Sequence, residues 1–163
     1  MKKTATQAAP HAQSGLPEGF RPIRLGANPF LQANGPLFGR VDGDRFVIGL
    51  RIEDRHCNPA GNCHGGMLLT LADMTLIVCS NVQTGLHRYL TTVNLTADFI
   101  RAAPLGAWIE GRTEVLRVAR SLVFSQAILS IDGEPAARAS AILKPTGDTD
   151  PRFGVENYFS EDP

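Results

Sequence analysis

An aspartate lies in the middle of the most apolar stretch of this sequence. Asp73 stands between Ala72 and Met74 within residues 65–82, and burying an unpaired carboxylate is costly in free energy. Such a residue needs either a structural partner, for example a hydroxyl or an arginine, or a chemical task that uses its carboxylate. Asp73 is therefore the first candidate for a catalytic residue.

The sequence His64-Gly65-Gly66 leads directly into the same apolar run. The first amide groups of a helix have no acceptor within the helix, and the helix dipole is positive at this end. A carbonyl oxygen that gains negative charge during a reaction could be held there, and Gly65 and Gly66 would let a ligand approach the backbone closely. Glycines also commonly serve turns, so this motif alone does not define a site.

The spacing between the two features has a geometric consequence. Gly65 and Asp73 are eight residues apart, which is about 12 Å along a helix and about 80° around it. One small carbonyl group cannot contact both. If both act in one reaction, they must come from different subunits whose helices lie antiparallel across a twofold axis. A catalytic Asp73 therefore predicts at least a dimer.

The elements that position these residues can be predicted from the same sequence. Residues 65–82 are apolar on nearly every side of a helical wheel, which indicates a helix enclosed on most faces. The preceding segment 54–66 contains Pro59 and three glycines and is therefore a loop. A short helix is predicted at 28–35, with Asn28 as N-cap, Pro29 in its first turn and Gly35 as its stop.

Six further runs have the length and alternation of β-strands, and Asp42-Gly43-Asp44 and Asp132-Gly133 are hairpin turns between them. The fold class is thus α+β, a curled antiparallel sheet of about six strands around one long central helix. The domain should span residues 28–145, between a flexible lead-in at 1–27 and a loosely ordered tail at 146–163. The strand runs are 36–41, 45–52, 90–100, 108–117, 121–131 and 136–143.

Composition narrows the possible partners. Sixteen Lys and Arg balance sixteen Asp and Glu, so no net basic field favours nucleic acid or an anionic membrane. The odd number of cysteines, three, does not suit a secreted disulfide scaffold, and the first residues lack the apolar core of a signal peptide. We expect a cytoplasmic protein whose partners are small molecules or further copies of itself.

The loop and helix together resemble the signature of the PaaI-type hotdog thioesterases. The resemblance extends from about residue 28 to residue 144 and includes Thr92-Val93-Asn94-Leu95 and Arg120-Ser121-Leu122-Val123-Phe124. The two cysteines within the loop, Cys57 and Cys63, are the main departure. The matching pattern is His56-x-Asn58-Pro59-x-Gly61-x-x-His64-Gly65-Gly66, followed by Leu71-Ala72-Asp73.

This resemblance implies a hotdog fold and hydrolysis of an acyl-CoA thioester by a homodimer or homotetramer. Asp73 would activate water or attack the thioester itself, assisted by Thr92. The Gly65 N–H would polarise the carbonyl, Asn58 would orient the water or the carbonyl, and His64 would have a structural or thioester-positioning role. No metal and no redox cofactor are implied.

Two arginines are candidates for binding the CoA phosphates. Arginine suits phosphate oxygens geometrically, and Arg117 and Arg120 lie near the end of a predicted strand. Solvated charges at a strand end explain them equally well.

Four other functions remain open. A hotdog protein can bind or sense acyl-CoA without cleaving it, since fold does not determine function. Cys63, beside His64 at a helix start, could be a nucleophile. His56, Cys57, Cys63 and His64 could together hold zinc, although their spacing is unusual for it. A hydratase is less favoured because no suitable Asp/His pair is apparent.

Overall fold

The computed structural model describes residues 15–159. Two α-helices and seven β-strands are present in this range, together with three short 3₁₀-helices at Asp54–His56, Pro151–Phe153 and Val155–Tyr158. The elements are β1 (Arg21–Pro22), α1 (Pro29–Asn34), β2 (Phe38–Asp42), β3 (Arg45–Arg51), α2 (Gly65–Thr84), β4 (Tyr89–Phe99), β5 (Trp108–Val118), β6 (Val123–Ile131) and β7 (Glu134–Thr146).

The strands form one antiparallel sheet in the order β1-β2-β3-β5-β6-β7-β4. Helix α2 packs against β3, β5, β6, β7 and β4, so the sheet curls around it. The predicted α+β architecture is confirmed. β4 occupies one edge of the sheet, although it comes fourth in the chain.

Local sequence signals account for most element ends. The Asn28 side chain accepts a hydrogen bond from the Leu31 N–H and caps α1, which begins at Pro29 and ends before Gly35. Helix α2 is followed by the C-cap Gly85, whose φ of 59° lies in the left-handed region that favours glycine. Asp132 and Gly133 have φ values of 52° and 80°, which suit the tight turn of a hairpin.

Some boundaries differ from the prediction. Helix α2 continues to Thr84, two residues beyond the predicted end. β6 begins at Val123 and not at Ser121, and β7 runs over Glu134–Thr146, longer at both ends than predicted. The two-residue strand β1 was not predicted, because two residues carry no measurable alternation.

Helix α2 is long and apolar enough to cross a membrane by length and composition alone. More than half of the residues in its apolar window are buried inside the protein, and Leu71, Leu76 and Cys79 are completely enclosed. These are the properties of a helix buried in the core of its own domain, and the carboxylate of Asp73 in its middle fits that position.

Segments at both ends of the predicted domain pack against the sheet, within the part of the chain that the structure describes. Phe20 is buried against Phe38 and Trp108 on the outer face of the sheet. Tyr158 is 3% exposed and packs against Phe46. Part of the predicted tail, residues 146–159, thus contacts the domain through isolated aromatic side chains, which form no periodic pattern in the sequence. Residues 1–14 of the lead-in and 160–163 of the tail lie outside the described residues.

Candidate active site

The carboxylate of Asp73 is held by a hydroxyl group from the edge strand. The Oγ1 atom of Thr92 donates a hydrogen bond to Oδ1 of Asp73 over 2.6 Å. Asp73 lies on α2 and is half-buried, and Thr92 is on β4. The structure thus brings together the two side chains that the resemblance pairs, nineteen residues apart in sequence.

Asp73 lies on a stripe of α2 that the chain's own sheet leaves uncovered. Leu69 is 37% exposed, and Gly66, Thr70 and Ile77 are likewise not buried. These positions recur at helical spacing of three or four residues and therefore share one face. The carboxylate is consequently accessible to a molecule that docks along this side of the helix.

The His64-Gly65-Gly66 motif forms the start of α2. His64 is the N-cap, and its Nδ1 accepts a hydrogen bond from the Gly66 N–H over 2.9 Å. The Gly66 amide is therefore committed to the cap. The Gly65 N–H has no acceptor among residues 15–159, so Gly65 supplies the donor at this helix end. Because the Gly66 amide already has an acceptor, it is not a free donor for a ligand. The missing side chain of Gly66 still lets a ligand approach the backbone closely.

The loop before α2 is built around Asn58. Its Oδ1 accepts hydrogen bonds from the N–H groups of Ala60, at 2.9 Å, and Asn62, at 3.3 Å. These contacts fold the tip of the loop into an Asx turn. Because the amide oxygen is used within the loop, the side-chain NH₂ of Asn58 is the group left to face a substrate.

His56 connects this loop to the rest of the domain. It is 2% exposed, its Nδ1 accepts from the Glu53 N–H, and its Nε2 lies 3.0 Å from the Asn34 carbonyl oxygen. Its own carbonyl accepts from the His64 N–H over 2.8 Å. Burial and the neighbouring Arg55 lower the pKa of His56, which favours the neutral ring that this arrangement needs. His56 therefore anchors the loop beneath the helix start.

Gly65 and Asp73 face different ends of β4 within one chain. The Phe99 ring, at the last residue of β4, lies 3.4 Å from where a Cβ at Gly65 would be, whereas Asp73 contacts Thr92 near the strand's beginning. Helix α2 is continuous between them, so the two groups are about 12 Å apart along its axis. A single chain does not bring them to one substrate carbonyl.

Arg117 and Arg120 are exposed at the β5–β6 hairpin. The register runs from Val118 through Val123 and Leu143 to Thr92. The hairpin end is thus level with Thr92 along the sheet but three strands away, about 14 Å at ordinary strand spacing. Neither arginine forms an ion pair with a described residue.

The loop cysteines do not have the properties of a nucleophile. Cys63 is buried, and burial, followed by the nearby Cys57, raises the pKa of its thiol to about 11. At neutral pH this thiol stays protonated, and the protonated form is a poor nucleophile. The hypothesis of cysteine catalysis is not supported.

The possible zinc site also finds no support within residues 15–159, where no three His, Cys, Asp or Glu side chains are grouped as metal ligands. His56 points to Asn34 and Glu53, and His64 turns its Nδ1 to Gly66. The two imidazoles thus serve the loop and the helix cap.

The sequence did not reveal two features of the site. One is the anchoring role of His56, which depends on contacts with α1. The other is the exposed apolar rim formed by Val93 and Phe99 of the edge strand and by Ile100 just after it, all more than half exposed. The sequence of β4 does show apolar residues that partly alternate with polar ones. The same pattern is expected of a strand that has one solvent-exposed face and no partner subunit.

Comparison with known proteins identifies relatives of this chain. The model of the thioesterase superfamily matches residues 60–136, which includes the loop tip, α2 and β4 to β6. A Pseudomonas aeruginosa protein that bears the name esterase PA0474 is 37% identical over 129 residues, which cover 78% of this chain and 96% of that protein.

Solved structures share the same architecture. PaaI of Escherichia coli, from the phenylacetic acid degradation operon, superposes with a TM-score of 0.66 at 19% identity, covering 76% of this chain and 88% of its own. A hypothetical thioesterase from Streptococcus pneumoniae, solved with coenzyme A, gives a TM-score of 0.59 at 20% identity, covering 68% of this chain and 88% of its own. At these identities the similarity demonstrates the fold.

Proposed function

Because the chain belongs to the thioesterase superfamily and has the hotdog fold of its PaaI-type members, we propose that it hydrolyses an acyl-CoA thioester to CoA and a carboxylic acid. The expected acyl group is a small aryl or medium-chain one. The observation that carries this proposal is the Thr92 hydroxyl bound to Asp73 on the uncovered stripe of α2. A carboxylate held in this way at an accessible, half-buried position is suited to activate a nucleophile.

The proposed active unit is a homodimer. β4 pairs only with β7 in the sheet that the structure describes, so its other edge presents unpaired backbone groups and the exposed Val93. A long edge strand of this kind is normally protected by a partner. Pairing of two β4 strands antiparallel would place the two α2 stripes side by side in opposite directions. Gly65 of one subunit would then approach Asp73 of the other.

In this arrangement each active site combines groups from both subunits. The Gly65 N–H of one subunit donates to the thioester oxygen, which becomes negative as the tetrahedral intermediate forms. The Asn58 NH₂, the free end of that side chain, donates to the same oxygen or to the water. Asp73 of the other subunit either accepts a proton from a water molecule whose oxygen attacks the carbonyl, or attacks the carbonyl itself and forms an acyl anhydride that water hydrolyses after CoA has left. The C–S bond then breaks, and the CoA thiolate takes up a proton.

One carboxylate oxygen of Asp73 remains available to accept the proton from water or to attack the thioester. Oδ1 accepts from Thr92, which fixes the carboxylate's orientation, and Oδ2 has no hydrogen bond to a described residue. Positioning by a single short hydrogen bond lowers the entropic cost of reaching the reactive geometry. The chemistry described uses water and groups of this chain, without a metal or redox cofactor.

CoA itself would be bound at the surface. The balanced charge of the chain provides no general attraction for a polyanion, so local cations must bind the phosphates. Arg117 and Arg120 are the proposed pair. They lie at the hairpin whose β5 end is about 14 Å from Thr92 across the sheet, a distance that the extended pantetheine arm could span. The S. pneumoniae structure with coenzyme A supports CoA as the ligand class. We place the reaction in the cytoplasm, where acyl-CoA is made and used.

The decisive experiment compares the wild-type protein with Asp73→Asn in thiol release from phenylacetyl-, benzoyl-, hexanoyl- and lauroyl-CoA. Asparagine keeps the shape and can still accept the Thr92 hydrogen bond, so folding should persist. Loss of a catalytic base or nucleophile should lower kcat by about 10²–10⁴-fold. Asp98→Asn is the matched control, since Asp98 is an exposed carboxylate paired with Arg138 on the sheet.

Unchanged turnover of Asp73→Asn would refute the assignment of this residue. If the wild-type protein cleaves none of the four thioesters yet binds CoA, the protein is a non-catalytic acyl-CoA binder or sensor, and the proposed hydrolysis is wrong.

A further inference from the structure

The loop that carries Asn58 folds back on itself and aligns two cysteines. The Asn58 N–H donates to the Asn62 carbonyl over 2.8 Å, and the His64 N–H donates to the His56 carbonyl over 2.8 Å. These two bonds lie on either side of Cys57 and Cys63, which form an isolated antiparallel bridge. Cys57 and Cys63 are therefore a directly opposed, non-hydrogen-bonded pair.

This kind of pair has the geometry that a disulfide requires. In non-hydrogen-bonded antiparallel pairs the Cα atoms are about 4.5 Å apart and both side chains leave the same face. Disulfides join Cα atoms that are about 4.4–6.8 Å apart. Both thiols are free in the structure and lie near backbone carbonyls, Cys57 Sγ 3.4 Å from Glu53 O and Cys63 Sγ 3.8 Å from His64 O. Rotation about χ1 would turn each sulfur toward the other.

We infer that Cys57 and Cys63 form a reversible disulfide that closes the Asn58 loop when the protein meets a disulfide oxidant such as glutathione disulfide. The Cys57 thiolate attacks one sulfur of glutathione disulfide, whose S–S bond breaks and releases one glutathione. The Cys63 thiolate then attacks the Cys57 sulfur of the mixed disulfide and releases the second glutathione. The protein loses two electrons and two protons, and two glutathione thiols are formed.

The burial of the two thiols determines the order and the rate. Cys57 is half-buried and Cys63 is buried, so Cys57 meets the oxidant first and Cys63 completes the ring. Burial raises the pKa of both thiols, which keeps the thiolate fraction small at neutral pH. Oxidation is therefore slow, and the pair responds to sustained oxidation and not to brief exposure.

A disulfide between Cys57 and Cys63 would stabilise a loop whose backbone is already held in this conformation by hydrogen bonds. The Cys63 N–H donates to the Ala103 carbonyl over 2.7 Å, and Asn58 accepts hydrogen bonds from Ala60 and Asn62 inside the prospective ring. The crosslink therefore retains the present backbone and restricts the unfolded chain. We expect the oxidised protein to melt at a temperature higher by on the order of 5 °C.

The test is mass mapping after incubation of the native protein in glutathione redox buffers. Remaining thiols are alkylated under denaturing conditions, and the chain is cut before its aspartates. Residues 54–72 then contain both cysteines of the pair, and residues 73–97 contain Cys79. We expect peptide 54–72 to be unalkylated and lighter by two hydrogens, while Cys79 is alkylated. Titratable thiols per chain should fall from three to one and return on reduction.

Three variants serve as controls. Cys57→Ser and Cys63→Ser should each lose both the mass change and the oxidation-dependent rise in melting temperature. Cys79→Ala should keep both, because Cys79 is fully buried against Phe46. Each variant is compared only with its own reduced form, so any intrinsic loss of stability cancels. The inference is wrong if peptide 54–72 keeps two alkylated thiols, if it stops at a glutathione adduct, or if the disulfide links separate chains. These outcomes do not depend on thioesterase activity.

Discussion

Replacing Gly65 with proline would remove one hydrogen-bond donor from the proposed site and leave the helix in place. Gly65 is the first residue of α2, a position at which proline is favoured because the N–H is not used by the helix. His64 has φ −63° and ψ 139°, the extended conformation that a residue before proline requires. A Cβ at position 65 would meet the Phe99 ring at 3.4 Å, an ordinary contact.

The size of the effect follows from what the lost donor would do. The Gly65 N–H binds no acceptor among the residues described, so its removal costs little stability. In the proposed reaction it stabilises the negative oxygen of the tetrahedral intermediate, and loss of one such donor typically lowers kcat by about 10²–10³-fold, or about 2.7–4 kcal/mol. Gly65→Ala is the matched control, since it adds the Cβ but keeps the N–H. We expect its kcat to fall less than about tenfold, with a higher KM because the backbone is less accessible.

The assay is steady-state thiol release from the best acyl-CoA of the panel, with circular dichroism and a thermal melt for each variant. Proline and alanine variants should melt within a few degrees of the wild type and differ from each other mainly in kcat. If both variants have the same kcat, the donor is not the Gly65 amide and the composite site described above is wrong.

Three further predictions concern the surrounding residues. Thr92→Val, which removes the hydroxyl bound to Asp73, should lower kcat by roughly tenfold, while Thr92→Ser should restore most of it; equal activity of both would argue against this contact. Arg117→Ala with Arg120→Ala should raise KM for acyl-CoA by roughly fivefold but leave KM for the corresponding acyl-pantetheine, which lacks the phosphates, unchanged. Because the folded protein lowers the pKa of His56, the unfolded state binds more protons, and the free energy of unfolding should decrease as pH falls through about 6.5 and below. If the denaturant midpoint of His56→Gln changes with pH as steeply as that of the wild type, His56 is not the source of this pH dependence.

Several parts of the fold were predictable because their signals are local. Asn28, Pro29 and Gly35 define α1 through a side-chain cap, a compatible φ and a stop. Asp132-Gly133 makes its hairpin because both residues adopt positive φ values. The order of the strands in the sheet and the packing of the chain ends depend on contacts between residues that are far apart in sequence. Phe20 and Tyr158 are isolated aromatic residues that pack against strands far away in the sequence. No periodic pattern of the sequence could therefore predict their burial.

Some features of the candidate site could likewise be inferred from the sequence, and others only from the folded structure. From the sequence alone, the carboxylate at position 73, the glycines at the helix start and their separation along α2 could be inferred, because helix geometry relates residue spacing to distance. Only the folded chain could decide that Gly66 is bound by His64 while Gly65 stays available, and that Cys57 faces Cys63. It also provides the direct contact between Thr92 and Asp73, which the resemblance had implied. Each of these depends on side-chain rotamers or on strand and loop register, and register is determined by packing over the whole sheet.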